Sequence, residues 1–255
     1  MNVKRSLYYR ARAFVTRAEK KQIARDFPPG AVAPISLDLL RLFQSINAFD
    51  PRFDCLVDVG AHKGLFARCA NLFFEIQHTI CIEPHAAMIP TIRENTRAFN
   101  VTILQKAVSD RAGVVDFYVH EDDTMNSIVR ADPAVLAEKF PWDNPDALSS
   151  TTVQALTLDQ GVAEASLDPK SRLFLKLDTQ GNELDILRAG TDSLRRAEAC
   201  LVEHMFLSPY ESTYTFADLI AFMEAQGFAC KGPLSISKRP SHEISGVDFY
   251  FQRNR

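Results

Sequence analysis

With 255 residues and 46% hydrophobic side chains, the chain is long enough for one large α/β domain with a real core and a short appendage. A net charge of −3 supplies no basic field for nucleic acid. Five cysteines, odd in number and without a C-x-x-C pair, count against a disulfide framework or a zinc site. No apolar run approaches the roughly 18 residues that span a bilayer, and the N-terminus lacks a signal-peptide core, so the cytoplasm is the expected compartment.

The elements begin with a basic N-terminal helical arm, residues 1–34. Its first stretch carries Lys4, Arg5, Arg10, Arg12, Arg17, Lys20, Lys21 and Arg25 against Glu19 and Asp26, with Leu7 and Phe14 as an apolar stripe. Such a helix packs on its domain or touches an anionic membrane surface. From residue 35 a single catalytic domain is expected to run to 255. After about residue 53, β-type runs alternate with helical periodicity, the pattern of βαβ units around a mostly parallel sheet.

The first strand runs from Cys55 to Val59 and a helix follows from about Lys63 to Phe74. The second strand, Thr79 to Ile82, ends at Glu83. Pro84 suits the first turn of a helix whose face holds Met88, Ile89, Ile92 and Phe99. Thr102 to Leu104 is the third strand, and Val114 to Val119 a hairpin-like one. Residues 120–150 are polar, carry Pro133, Pro141 and Pro145, and break the rhythm; they read as an insertion or lid over the site.

Thr152 to Leu158 forms another short strand, and Leu173 to Leu177 an apolar strand ending in Asp178. Asn182 is placed to cap a helix that stops at Gly190. Cys200 to Val202 is a strand ending at Glu203. Thr215 and Asp218 form a capping box ahead of a helix with Phe216, Leu219, Ile220 and Met223 on one face, stopping at Gly227. Val247 to Phe251 is the last strand. Seven strands with a late antiparallel pair are expected.

Two features carry chemistry. Asp58, Gly60, His62 and Gly64 lie in a strand-to-helix loop, where glycines let the backbone approach a cofactor. The loop is not the G-x-G-x-x-G of nicotinamide enzymes, because His62 occupies the middle glycine position. Glu83 ends the second strand, where open α/β sheets set an acid against ribose hydroxyls. Farther on, Lys176, Asp178, Gln180 and Glu183 follow the fourth parallel strand. Glu203 and His204 end the next one, on the same edge. Helix-terminus charge accounts for Glu183 and an ion pair for Lys176; Asp178, closing an apolar strand, is the candidate for the reacting edge. His204, with an unperturbed pKa of ~6.5, is a second candidate base. No spacing of ligands points to a metal.

These residues, with others in order, resemble the FkbM family of S-adenosyl-L-methionine (SAM)-dependent methyltransferases. The stretch L-V-D-V-G-A-H-K-G over 56–64 is similar to the family's first block, in which Asn is commoner than His62. Glu83 and Pro84 with Ile92 and Asn95 resemble the second block. Ala107 to Asp110, then Gly113, Phe117, Tyr118, Asn126 and Ser127, resemble the next. The stretch K-L-D-T-Q-G-N-E over 176–183 fits the family pattern K-[IL]-D-x-[QE]-G-x-E, and Glu203, Tyr210, Glu211, Gly227, Phe228 and Asp248 resemble its tail. The likeness spans about residues 53–252.

The resemblance implies a Rossmann-like class I methyltransferase fold: a mostly parallel seven-stranded sheet flanked by helices. It also implies SAM as cofactor. Gly60, Ala61 and Gly64 would pass beneath the methionine part and ribose, Asp58 would face the amino group, Glu83 would hold the ribose, and Val108 and Ser109 would border the adenine. Asp178 would line the transfer site, with Glu203 or His204 assisting. Hydroxyl oxygens of a glycan, glycolipid or secondary metabolite are the expected acceptors, with no nucleic acid partner. Methylation at nitrogen or carbon, and a silent SAM-fold binding module, remain open on sequence alone.

Overall fold

The computed structural model describes residues 16–140, 142–210, 214–238 and 242–254. In chain order the first half folds as α1 (Leu37–Asn47), β1 (Cys55–Val59), α2 (Leu65–Phe73), β2 (His78–Ile82), α3 (Ile89–Thr96), β3 (Val101–Leu104), β4 (Ala107–Val108), β5 (Gly113–Val119) and α4 (Pro133–Lys139). The second half adds β6 (Ser149–Leu156), α5 (Leu158–Glu164), β7 (Leu173–Leu177), α6 (Glu183–Ala189), α7 (Thr191–Arg196), β8 (Ala197–Met205), α8 (Phe216–Ala225), β9 (Phe228–Lys238) and β10 (Ile244–Arg253).

Seven strands form one sheet in the order β3-β2-β1-β7-β8-β10-β9. β1 pairs in parallel with both β2 and β7, β8 is parallel to β7, and β10 runs antiparallel to its two neighbours. This is the class I methyltransferase arrangement, mostly parallel with a late antiparallel pair. The chain leaves β1 toward β2 on one side and toward β7 on the other. That change of direction opens a crevice at the carboxyl ends of β1 and β7, where ligands bind in open α/β sheets. A second sheet, β4-β6-β5, is built from the segment between β3 and α5 and stands beside this crevice.

Both faces of the main sheet are covered, so its central strands read as continuous apolar runs. Val57, Leu175 and Val202 point toward α5, α6 and α8, where Leu158, Leu184 and Leu219 meet them. Leu56, Phe174, Leu201 and Tyr250 point to the other side, against Leu40, Phe43, Ile46 and Phe66 of α1 and α2. Two polar residues interrupt the apolar interior of the central pair, Asp58 and Lys176. They sit opposite each other in the β1–β7 register and therefore on one face.

Several local expectations change. The helix after β2 starts at Ile89 with Pro90 in its first turn, and Pro84 stays in the connection. Thr96, not Phe99, closes its buried face, its hydroxyl donating to the Ile92 carbonyl at 2.7 Å. The strand expected over 152–158 is Ser149–Leu156; Thr157 then caps α5 in a box with Gln160. Asn182 precedes α6, but its amide donates to the Val108 carbonyl at 3.1 Å instead of capping the helix. Gly190 ends α6 only for α7 to begin at once. The Thr215–Asp218 box is present. β9 had no counterpart in the sequence pattern, because Gly232 and Pro233 break its alternation.

Lys4, Arg5, Arg10 and Arg12 of the basic arm, and its stripe of Leu7 and Phe14, lie outside the described residues, as does Glu211. The arm is helical over 16–26. Ile23, Val32 and Ile35 are buried against the α1 side of the core. Lys20 donates to the carbonyls of Ala33 and Ile35, and Arg41 of α1 donates to Glu19 at 2.9 Å. Residues 120–150 are anchored too: Met125, Ala131, Leu136 and Phe140 form a small apolar cluster with Tyr210. Beneath it the His120 ring and the Asp143 carboxylate pair at 2.6 Å, both buried.

Candidate active site

A cavity of about 380 Å³ lies at the carboxyl edge of the main sheet. Gly60, Glu83 and Val108, Asp178, Glu203 and Gly246, and the 122–128 segment with Phe140 and Trp142 line it. A second cavity of about 320 Å³ sits behind the β1–α2 loop, between the start of α1 and the polar strip Lys176, Asp178, Ser235 and Asp248. The two share Gly60, His62 and Asp178.

The loop glycines serve the fold before they serve a ligand. Gly60 has φ +73°, and a Cβ there would lie 1.9 Å from the Asp178 carbonyl oxygen. Gly64 has φ +71° and would press on Ile92 of α3. The close approach is therefore between β1's loop, β7's end and a neighbouring helix, not primarily toward a cofactor. His62 is also left-handed, at φ +48°, a region in which Asn, Asp and His are the favoured non-glycine residues. That conformation accounts for either His or Asn at the position. Its ring nitrogen lies 2.9 Å from an Asp123 carboxylate oxygen, and Lys63 donates to the other oxygen at 2.9 Å. The loop is thereby tied to the 120–150 segment.

Glu83 is buried with its carboxylate at the cavity. It accepts backbone N–H groups from His62 and His85, both at 2.8 Å. Burial pushes its carboxyl up, and those two donors pull it back. A carboxylate has about four acceptor sites, so capacity remains for a ligand's hydroxyls. Other expected cofactor residues are placed differently. Ala61 lines only the second cavity. Asp58 and Gly64 line neither, and Asp58 is fully buried beneath the loop with Lys176 at 3.3 Å. Burial raises the Asp58 carboxyl, against the pull of Lys176. Ser109 does not line the cavity, and its hydroxyl donates to Asp110 at 3.0 Å. The strand-end positions of Glu83 and Val108 fall on the cavity because the crevice lies there; residues before or after them need not.

From β7, Lys176 donates to the Gly60 carbonyl at 2.7 Å and lies 3.3 Å from both Asp58 and Asp178. Burial works against its charge, but Asp178 and Asp58 outweigh it and raise its pKa. The Gln180 amide bridges Asp178 at 2.9 Å and Glu203 at 2.6 Å. Burial acts to raise Asp178 as well, yet Lys176, with hydrogen bonds from Glu203 and Gln180, holds its carboxyl below the usual range. Glu203 goes the other way: burial, then the charges of Asp178 and Asp248, push it well above. Neighbouring acids pushed apart in this way divide the roles of proton acceptor and proton donor between them.

His204 does not join them. Adjacent strand residues point to opposite faces, so Glu203 looks into the cavity while His204 is buried among Phe206, Tyr214 and Phe216. Burial lowers its pKa there. Glu183 has a structural task beyond its place at a helix start. It accepts from the Thr179 N–H and hydroxyl, the Gly181 N–H and the Tyr214 hydroxyl, at 2.8–3.1 Å. This staple shapes the turn that carries Gln180 at φ +63°.

Asp123 is a participant that the residue pattern did not single out, and Gln180 and Asp248 were named there without a role. Besides its place in the family resemblance, Asp248 had a local signal, an acid between Val247 and Phe249 in an apolar strand; it pairs with Glu203 in the sheet register. Burial and the Asp178 charge push Asp248 up to about 6. Because that value lies above the unfolded ~3.9, the protonated acid favours the fold. The contribution is complete below the unfolded value and is lost as pH rises through about 6. Asp248→Asn should therefore gain stability relative to the parent protein across this window, measured by urea unfolding at a series of pH values. Parallel stability curves would place Asp248 outside the buried acid group. Among the described residues no group of His, Cys, Asp and Glu is arranged to hold a metal ion.

The Methyltransferase FkbM domain matches residues 58–230 of this chain. A 2-O-methyltransferase, NoeI of Sinorhizobium fredii, is 25% identical over 199 residues, covering 75% of this chain and 79% of that protein. Among solved structures, an S-adenosylmethionine-dependent methyltransferase from Clostridium acetobutylicum aligns with a TM-score of 0.44 at 6% identity, over 86% of this chain and 92% of that one. Precorrin-6y C5,15-methyltransferase from Geobacter metallireducens aligns with a TM-score of 0.42 at 14% identity, over 86% and 90%.

Proposed function

This chain belongs to the FkbM methyltransferase family, with S-adenosyl-L-methionine as its cofactor, and from that premise we propose that the methyl group goes to a hydroxyl oxygen and that Asp178 takes up the proton. The observation that carries the reading is the Asp178 carboxylate in the cavity, held by Lys176 at 3.3 Å and by the Gln180 amide at 2.9 Å, with Glu203 joined to the same amide. An alcohol is a poor nucleophile at neutral pH, so a positioned carboxylate is what such an acceptor needs. The 2-O-methyltransferase relative supports oxygen as the target.

The residues present fit the cofactor. Glu83 keeps acceptor capacity for a ribose diol, Val108 borders the space beside it, and the Gly60 loop faces the same cavity. When bound, the cofactor supplies a methyl group made electrophilic by its sulfonium. The protein must do the rest. Lys176, with Gln180, fixes the Asp178 carboxylate and favours its charge. Asp178 orients the acceptor hydroxyl and receives its proton as the oxygen–carbon bond forms. Glu203, protonated, donates to Asp178 or to a neighbouring oxygen of the acceptor. A glycan, glycolipid or secondary-metabolite hydroxyl fits this chemistry.

Incubation with methyl-labelled SAM and candidate acceptors, followed by mass spectrometry, tests the proposal. Label on oxygen is expected; label on nitrogen or carbon of the native acceptor overturns it. The donor end has its own test. Glu83→Ala should weaken S-adenosylhomocysteine binding by about 1.5–3 kcal/mol, the scale of charged hydrogen bonds, as read by calorimetry. Unchanged affinity would remove Glu83 from the ribose.

A further inference from the structure

We infer that Asp123 and Asn126 are positioning residues for the cofactor's ribose. Each holds the ring of a histidine whose backbone N–H donates to Glu83, and together they set the carboxylate that meets the diol. This inference rests on the ribose reading of Glu83 above and adds what orients that carboxylate.

Glu83 is constrained along its backbone. Its N–H donates to the Leu104 carbonyl at 3.1 Å, and Pro84 restricts the residue before it to extended conformations. The side chain keeps its own torsions, and two donors fix them. The His62 N–H reaches Oε2 and the His85 N–H reaches Oε1, both at 2.8 Å. One donor on each oxygen leaves roughly one acceptor site free on each. Two neighbouring hydroxyls need two such sites side by side. A carboxylate drawn toward a single donor turns about its axis and no longer offers them as a pair.

Both donors lie outside the strands, so no sheet ladder holds them. His62 is left-handed at φ +48°, and His85 leads into a short 3-10 turn over Ala86–Met88. The 122–128 segment grips both residues by their rings. The His62 ring nitrogen lies 2.9 Å from one Asp123 oxygen, and Lys63 donates to the other at 2.9 Å. The Asn126 amide nitrogen lies 3.1 Å from His85 Nδ1. Its carbonyl oxygen accepts the His120 N–H at 2.8 Å, which decides the way the amide points. The amide N–H therefore faces His85, and Nδ1 is the accepting, proton-free nitrogen of that ring.

The support is itself anchored. Tyr118 and Ser127 exchange backbone hydrogen bonds at 2.8 and 3.2 Å. The Tyr210 hydroxyl donates to the Met125 carbonyl at 2.6 Å, and the Ser127 hydroxyl donates to the Gln180 carbonyl at 2.8 Å. The two histidines are thus held from a fixed segment. Asp123, Asn126 and Glu83 all line the same cavity, so the grip and the carboxylate it sets share one wall.

A double-mutant cycle on S-adenosylhomocysteine binding, read by calorimetry, tests this. The proteins are the parent, Asp123→Ala, Asn126→Leu, Glu83→Ala and the two doubles with Glu83→Ala. Asp123→Ala and Asn126→Leu should each weaken binding roughly three- to tenfold, the scale of one net hydrogen bond. In the Glu83→Ala background each should cost less than about twofold, because the carboxylate that they position is gone. A residue that only supports the fold, or that touches the cofactor directly, costs the same in both backgrounds. Urea midpoints check each variant. The Asp123 side chain is 33% exposed, so Asp123→Ala should stay folded and carries the cycle if Asn126→Leu does not. Equal losses in the two backgrounds overturn the inference, as do single variants that bind like the parent. A Glu83→Ala protein with parental affinity would strike the ribose reading itself, and this inference with it.

Discussion

Asp178→Asn should lower kcat by about 10²–10⁴-fold, the usual worth of a positioned base, while S-adenosylhomocysteine affinity and the folded state persist. Asparagine preserves the shape at the end of β7 and can still meet Gln180, but it cannot accept a proton. The pH profile separates the candidates. Lys176 at 3.3 Å holds the Asp178 carboxyl below the usual carboxylate range. A rate that depends on ionised Asp178 is therefore on its plateau near neutral pH and falls only in acid. A histidine base would instead impose a rise near pH ~6.5. Since His204 is packed against Phe206 and Phe216 on the far face, His204→Ala should keep its kcat to within a few-fold, whatever it costs in stability. An Asp178→Asn enzyme with near-normal kcat on its native acceptor would refute the assignment.

Gly60→Ala should damage both stability and cofactor binding, although it adds one methyl group. Two costs combine. The left-handed backbone charges an L-residue about 1–2 kcal/mol, and the new Cβ would overlap the Asp178 carbonyl oxygen at 1.9 Å. That oxygen cannot swing aside like a side-chain tip. Val59 and Leu177 are paired in register, the Asp178 N–H donates to the Val59 carbonyl at 3.2 Å, and Lys176 holds the Gly60 carbonyl. Relief requires parting β1 from β7 or moving the loop that donates to Glu83. Gly30 provides the control: φ is +78° there, but nothing lies within 4 Å of its added Cβ. Gly30→Ala should show only the backbone cost, and Gly60→Ala a further ~1–3 kcal/mol, the range for forced overpacking. Denaturant midpoints at equal slope measure the difference. Equal destabilisation at the two glycines would mean the loop can yield.

Glu83 and Asp178 were legible because each closes a strand covered on both faces. Such strands appear as apolar runs, and a carboxylate at the end of one stands out. The glycine loop was visible as well, but its reason was not. Gly60 answers to Asp178, a residue far along the chain, and no local pattern records that contact. His62 had a similar history. Its left-handed backbone suits His as well as the commoner Asn, and its tie to Asp123 depends on how the 120–150 segment packs.

The sequence by itself determined the alternation of strands and helices, the capping box at Thr215, and the acids at the carboxyl edge. These follow from periodicity and from residues within a turn of one another. Tertiary structure alone decided which residues face the cavity. Glu203 and His204 are consecutive and both polar. Only the packing of Phe206, Phe216 and Tyr214 around the imidazole fixes which one turns inward, and a one-residue shift in the pleat would exchange them. The same holds for Asp248, which enters the acid group because β10 lies beside β8 with Asp248 opposite Glu203. It holds for β9 too, whose Gly232 and Pro233 hide a strand until β10 supplies its partner. Periodicity reports what each short segment can bury. Which distant segments meet, and so which charges are forced together out of water, is settled by the packing of the whole sheet.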